Sequence, residues 1–219
     1  MKSFKFGNTA QGLPIMAEKY GSQGPKVLIL GGVHGDEWEG VVAAKALQGK
    51  FIESFTYKLQ VTLVPQFNFD GIIKNTRKNA NGVDLNRNLP TNDWTSDVKE
   101  ERYFPGPEAN SEPENQALVH WLTQNKPQLV ISLHSWKPLL NINGRCHEEA
   151  EVIAKLTNYE IKESIGYPTP GCLGTYCGLE RDMPTITYEI ERNLAPKQII
   201  AKHVPAILEA LKVTEDKNY

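Results

Sequence analysis

The chain lacks most of the features that assign a class at a glance. It has three cysteines in 219 residues, Cys146, Cys172 and Cys177, an odd number and too few for a disulfide scaffold. Free thiols in a reducing compartment are the expectation. No apolar run reaches the roughly 18 residues needed to span a bilayer. The N-terminal stretch carries Lys2 and Lys5 but no apolar segment after them, so it does not read as a secretory signal. A cytoplasmic location is expected. Charge of one sign is also missing: 24 basic against 26 acidic residues leave a formal net charge of −2. The overall field therefore draws the chain neither to nucleic acid nor to an anionic membrane. With 17 glycines and 14 prolines, the chain is not of low complexity.

What is present is ordinary globular composition, 40% hydrophobic and 23% charged, at a length suited to a single domain over 1–219. Lys26–Gly32 is a short apolar run ending in glycines and predicts a buried, parallel strand. Leu59–Pro65, Gln128–His134 and Pro184–Glu191 predict three more. Helices are expected over Trp38–Leu47, from a Ser111-x-x-Glu114 capping box to about Gln124, over Glu148–Leu156, and over Pro196–Lys212. The stretch 68–110 is expected to be mostly loop, and Tyr167–Gly178 a surface loop. The alternation predicts an α/β fold, with a mixed, mainly parallel sheet as the middle of three layers and helices on both faces. Functional side chains should collect beyond the carboxyl ends of the strands. The last helix could pack on its own core or on a second chain, which leaves a homodimer open.

Four groups of residues could carry chemistry. His34 and Glu37 sit three apart at a strand-to-helix turn, where one ion can reach both. His134 ends the apolar strand QLVISLH, where α/β folds place ligands. Arg77 and Arg87 flank a turn rich in Asn and Gly, and arginine suits forked capture of carboxylates. Glu189 shares a strand face with Thr185 and Thr187. Taken singly, each has a bland reading as a cap, a core-edge histidine, a polar loop or a strand carboxylate.

Taken together and in order, the set His34-x-x-Glu37, Arg77, Asn86-Arg87, His134 and Glu189 resembles the zinc carboxypeptidases of the metallocarboxypeptidase A type. The resemblance runs over about residues 26–191. It is strongest in Asn68-Phe-Asp-Gly, followed by Arg77 and Gly82-Val-Asp-Leu-Asn-Arg-Asn. Phe69 stands where that family usually has proline, and Leu89 where it usually has phenylalanine; both read as packing changes. The stretches HGDE (34–37), NANGVDLNRN (79–88), SEPENQAL (111–118) and GYPTPGCLGTYC (166–177) are most similar to the murein peptide amidases within that family.

This resemblance implies one zinc ion per chain, held by His34, Glu37 and His134. It implies Glu189 as general base, Arg77 as oxyanion stabiliser, and Asn86 and Arg87 as holders of the leaving residue's carboxylate. Asp84 is expected to brace the loop. A tyrosine over the substrate could be Tyr167 or Tyr176, and Tyr176 is carried as the substrate-binding candidate. The implied substrate is a small murein peptide, cut between γ-D-glutamate and meso-diaminopimelate. Two other readings remain open on these residues. One is a deacylase of small N-acyl amino acids, of the aspartoacylase or succinylglutamate desuccinylase kind. The other is a zinc-containing module that binds murein peptide without cutting it.

Overall fold

Every side chain from Val27 to Leu30 is fully buried, and successive residues of a strand face opposite ways. Val27 and Ile29 enter one apolar core, Leu28 and Leu30 another. Such a strand needs cover on both sides. The computed structural model, which describes residues 1–217, supplies it as three layers.

The middle layer is one eight-stranded sheet in the order β1-β2-β4-β3-β5-β8-β6-β7. Its strands are β1 (Lys2–Asn8), β2 (Pro14–Tyr20), β3 (Lys26–Gly31), β4 (Gln60–Val64), β5 (Leu129–Trp136), β6 (Leu139–Asn143), β7 (Glu160–Lys162) and β8 (Thr185–Glu191). The central run β4-β3-β5-β8 is parallel. Antiparallel pairing attaches β2 to β4 and β6 to β8. On one face lie α1 (Trp38–Glu53), α4 (His147–Thr157) and α5 (Pro196–Asp216), which send Ala43, Leu47, Ile153, Ile199 and Ile207 into the first core. On the other lies α3 (Pro113–Asn125), with Leu118 and Leu122 in the second core. Each such leucine or isoleucine contributes roughly 1.5–3 kcal/mol by leaving water.

From β3 the chain moves outward to β4 and later returns on the other side as β5. The carboxyl ends of β3 and β5 therefore diverge at a topological switch, the usual place for a ligand crevice in an open α/β sheet. Helix α1 is set tightly on β5 there. A Cβ at Gly40 would come within 2.3 Å of the Leu133 carbonyl oxygen, so only glycine allows this approach.

The four expected strands and four expected helices are present. Residues 2–20, for which the sequence predicts no element, form a hairpin at the sheet edge. Two local expectations fail. Helix α3 begins at Pro113 with Glu112 as its N-cap. Ser111 instead donates to Glu112 Oε1 (2.7 Å), and Glu114 accepts the Ala10 N–H (2.8 Å), so neither closes a capping box. Within 167–178, the segment Gly174–Leu179 is a single π-helical turn that buries Tyr176 and Cys177. All three cysteines are free thiols. No helix among the described residues is long and apolar enough to cross a membrane.

Candidate active site

The turn after β3 is built on backbone contact. A Cβ at Gly35 would lie 2.0 Å from the carbonyl carbon of Gly71, and the Gly35 N–H points to Arg77 O at 3.4 Å. Asn68 joins the same two segments. Its Oδ1 caps the short helix α2 (Phe69–Lys74) by accepting from Gly71 N–H (3.0 Å), while its Nδ2 donates to Val33 O and Arg77 O (3.3 Å each). Asp70 accepts from Thr9 Oγ1 (2.9 Å) and Gln11 N–H (3.0 Å). The Asn-x-Asp-Gly stretch is thus a joint that fixes Arg77 against the turn carrying His34 and Glu37.

His34, Glu37 and His134 meet at the switch. One donor atom from each lies within 4.8 Å of the others, and all three residues are buried. Nδ1 of His34 is 3.1 Å from Nδ1 of His134. Glu37 faces both rings, with Oε1 at 3.0 Å from His34 and Oε2 at 2.9 Å from His134. The far nitrogens are already engaged: His34 Nε2 lies 3.0 Å from Asp84 Oδ1, and His134 Nε2 lies 2.9 Å from Ser132 Oγ. A carboxylate only accepts, so His34 carries its proton on Nε2 and turns a lone pair inward from Nδ1. Lone pairs converging at about 3 Å repel unless a cation lies among them. Tetrahedral zinc, with bonds near 2.0–2.1 Å, sets its ligand atoms about 3.3 Å apart. Two histidines and a carboxylate are a catalytic zinc set, and a carboxylate behind the ligating histidine is the usual outer support. The residues present fit zinc.

The electrostatics agree. Burial alone would raise the Glu37 carboxyl, but the adjoining His34 and His134 hold it well below the usual range. Burial and Arg77 disfavour charge on His34, yet Glu37 and Asp84 outweigh them and raise its pKa. Without metal, this site attracts protons for the reason that it would attract a cation.

Around the triad is a cavity of about 450 Å³ lined by groups that include Arg77, Asn86, Arg87, Tyr167, Glu189 and Arg192, within the size range of small-molecule sites. Arg77 is held by fully buried Asp84, donating from Nε and Nη2 to Oδ2 at 2.9 Å, and reaches Glu37 Oε1 from Nη1 at 3.3 Å. Arg77 and Arg87 place their guanidinium carbons 5.2 and 5.3 Å from the centre of the Tyr103 ring. Asn86 is oriented by accepting the Leu173 N–H on Oδ1 (2.9 Å). Glu189 is the register partner of His134 on the neighbouring strand. Its Oε2 is buried with no hydrogen-bond partner. Burial is the main cause of a pKa pushed up to about 7, with His134 opposing and Glu37 adding to the rise.

All the expected site residues but one converge here. Tyr176 does not line the cavity: it is 3% exposed in the second core, with the Arg181 guanidinium 3.6 Å over its ring. The tyrosine at the cavity is Tyr167, 43% exposed and edge-on to Trp136 at 6.2 Å. Sequence reasoning gave Asp84 only a bracing role and passed over Asp36, Tyr103 and Arg192. For Asp84 the signal was there, in its place two residues before Asn86-Arg87. For Arg192 no local pattern pointed to the site.

The family model for zinc carboxypeptidases (peptidase M14) matches residues 1–189. This chain belongs to the zinc carboxypeptidase family. It is accordingly a hydrolase, and zinc is its metal. Among zinc carboxypeptidases and their relatives, the chain is 32% identical to the murein peptide amidase A of Vibrio campbellii over 86% of this chain and 78% of that protein. It is 36% identical to the murein peptide amidase A of Escherichia coli K12, over 68% of this chain and 65% of that one. The crystal structure of a murein-tripeptide amidase from Escherichia coli O157 superposes with a TM-score of 0.79 at 25% identity, covering 100% of this chain and 94% of the other. The α/β three-layer expectation is borne out by this likeness.

Proposed function

We propose that the protein hydrolyses the amide between γ-D-glutamate and meso-diaminopimelate in murein tripeptide, in one catalytic domain with one zinc per chain held by His34, Glu37 and His134. The observation that carries the hydrolytic reading is Glu189: a half-buried carboxylate whose Oε2 is buried without a partner, beside a His-Glu-His set, in a cavity that also holds Arg77 and Arg87. The likeness to two murein peptide amidases supplies the substrate class.

Zinc, when bound, acidifies a water molecule and polarises a carbonyl oxygen. The chain's own groups do the rest. Glu189, the register partner of His134, takes the proton of the attacking water and delivers it to the leaving amine. Arg77, clamped by Asp84, presents its guanidinium to the oxyanion of the tetrahedral intermediate. Asn86 and Arg87 hold the carboxylate of the leaving diaminopimelate and so set its distance from the scissile carbonyl. Tyr103, stacked under both arginines, keeps them apart and oriented. Tyr167 closes the outer wall together with Trp136. A cytoplasmic enzyme of this kind would recycle imported murein peptides.

The test is Glu189→Gln, assayed on murein tripeptide with release of free diaminopimelate as the readout. The variant should keep its zinc and lose turnover by at least about 100-fold, in line with general-base contributions. Wild-type activity in the variant removes Glu189 from the mechanism. Release of aspartate or glutamate from N-acyl amino acids, with the tripeptide left intact, would replace the substrate.

A further inference from the structure

Four guanidinium groups line the cavity: Arg77, Arg87, Arg102 and Arg192. The proposed reaction uses the first two. Arg102 shares the Tyr103 ring with them, at 5.3 Å. Arg192 has different neighbours. Its Nε donates to Ser135 O and its Nη1 to Asp36 O, both at 3.0 Å. Two backbone carbonyls therefore orient the fork, and its charge is shared with the Asp36 and Glu37 carboxylates at 3.5 Å. The last nitrogen, Nη2, has only long contacts of 3.5 Å to Asp36 Oδ2 and Glu37 Oε1, near the limit for a hydrogen bond. The side chain is 34% exposed, so Nη2 keeps donor capacity toward the cavity. Beside it, Asp36 Oδ1 is buried with no partner, a state that costs free energy until something donates to it. A cationic donor and a carboxylate with unused acceptor capacity thus adjoin one spot on the cavity wall.

That spot lies beside the metal ligand Glu37. Glu37 Oε1 stands between Arg77 Nη1 at 3.3 Å and Arg192 Nη2 at 3.5 Å. Asn86 and Arg87 are tied instead to Leu173 and Tyr103. A substrate with its leaving carboxylate on Arg87 and its scissile carbonyl by Arg77 sends its acyl arm past Glu37 toward Arg192. In a γ-linked glutamyl residue that arm bears, on the third carbon beyond the scissile carbonyl, a free α-carboxylate and an amide N–H.

We propose that Arg192 and Asp36 read the acyl side of the substrate, Arg192 binding the free α-carboxylate of the γ-linked glutamyl residue and Asp36 accepting the N–H beside it. The pair selects γ-glutamyl amides over α-linked peptides of neutral residues, which offer no anion at that position. This assignment rests on the amidase reading above.

The test uses two substrates, murein tripeptide with the free α-carboxylate and the same tripeptide with that group as a carboxamide. For the zinc-loaded wild-type enzyme, kcat/KM should favour the carboxylate by about 10- to 100-fold, the range for a charge-assisted bond, with most of the difference in KM. In Arg192→Gln the preference should fall below about threefold, through loss on the carboxylate substrate alone, with zinc content unchanged. Equal hydrolysis of both substrates by the wild type overturns this proposal alone, and needs no variant. A parallel loss on both substrates in Arg192→Gln also overturns it, since Arg192 would then act by holding Glu37. Hydrolysis of neither substrate by the wild type overturns the amidase reading and this proposal with it.

Discussion

Asp84→Asn changes one atom of a fully buried side chain and should disable the site through two partners at once. Asp84 receives His34 Nε2 on Oδ1 (3.0 Å), Arg77 Nε on Oδ2 (2.9 Å), and the Asn86 N–H on Oδ1 (2.9 Å). An amide has one acceptor atom, so its NH2 must face a donor. If it faces His34, the imidazole gives up its Nε2 proton and moves it to Nδ1, which removes the lone pair offered to zinc. If it faces Arg77, its NH2 meets guanidinium donors, and in either orientation the buried guanidinium loses its nearest counter-charge. Removing such outer support usually lowers metal affinity or activity by about 10- to 100-fold, equivalent to about 1.4–2.7 kcal/mol, and one charged hydrogen bond is worth about 1.5–3 kcal/mol. The two figures agree. Zinc affinity, measured by competition with a chromophoric chelator, should fall by that factor, and kcat/KM at saturating zinc should also fall because Arg77 is loosened. A variant within twofold of wild type in both measurements would refute the argument that Asp84 sets the histidine tautomer and the arginine together.

Three further outcomes are expected. Gly35→Ala places a Cβ against the Gly71 backbone, 2.0 Å from its carbonyl carbon; overpacking of this kind costs about 1–3 kcal/mol, so Tm should drop by several degrees, and an unchanged melting curve would refute the tight joint. Burial pulls the pKa of His203 down to about 4 from an ordinary 6.5, and its Nδ1 accepts the Tyr188 hydroxyl at 2.7 Å. Its contribution is therefore complete above pH 6.5 and is lost as pH falls toward 4, at most about 3 kcal/mol; urea titrations of His203→Gln should show a shallower acid loss, and identical slopes would count against it. Zinc beside Glu189 favours its ionised form, so the acid limb of kcat/KM for the loaded enzyme should lie below the pH of about 7 set by the metal-free carboxyl. A limb above 7 would contradict the assignment.

The parallel core of the fold was legible because β3 and β5 are buried on both faces and so read as largely apolar runs without alternation. The hairpin β1–β2 was not, because it lies at the sheet edge and keeps polar side chains along both strands. Strand β7 is three residues long and carries no pattern of its own. The triad His34, Glu37 and His134 was legible because two of its members share a turn and the third ends a strand. Tyr176 misled because glycine and proline around it signal a loop, while tertiary packing folds the segment into a π-helical turn under Arg181. Arg192 was invisible because its role depends on β3, β5 and β8 ending side by side, which is a property of the sheet order and of no single segment.

Both histidines turn Nδ1, the ring nitrogen nearer the backbone, toward the ion's position, and Nε2 toward Asp84 and Ser132. The metal's chemistry is therefore adjusted from inside the protein, by buried residues that substrate never meets. Rim residues such as Tyr167, Trp136 and Arg102 are not bonded to either ring. The two layers can change independently. A lineage could exchange its rim, and with it the peptide accepted, without retuning the ion, while changes in the inner layer would alter the rate for every substrate alike.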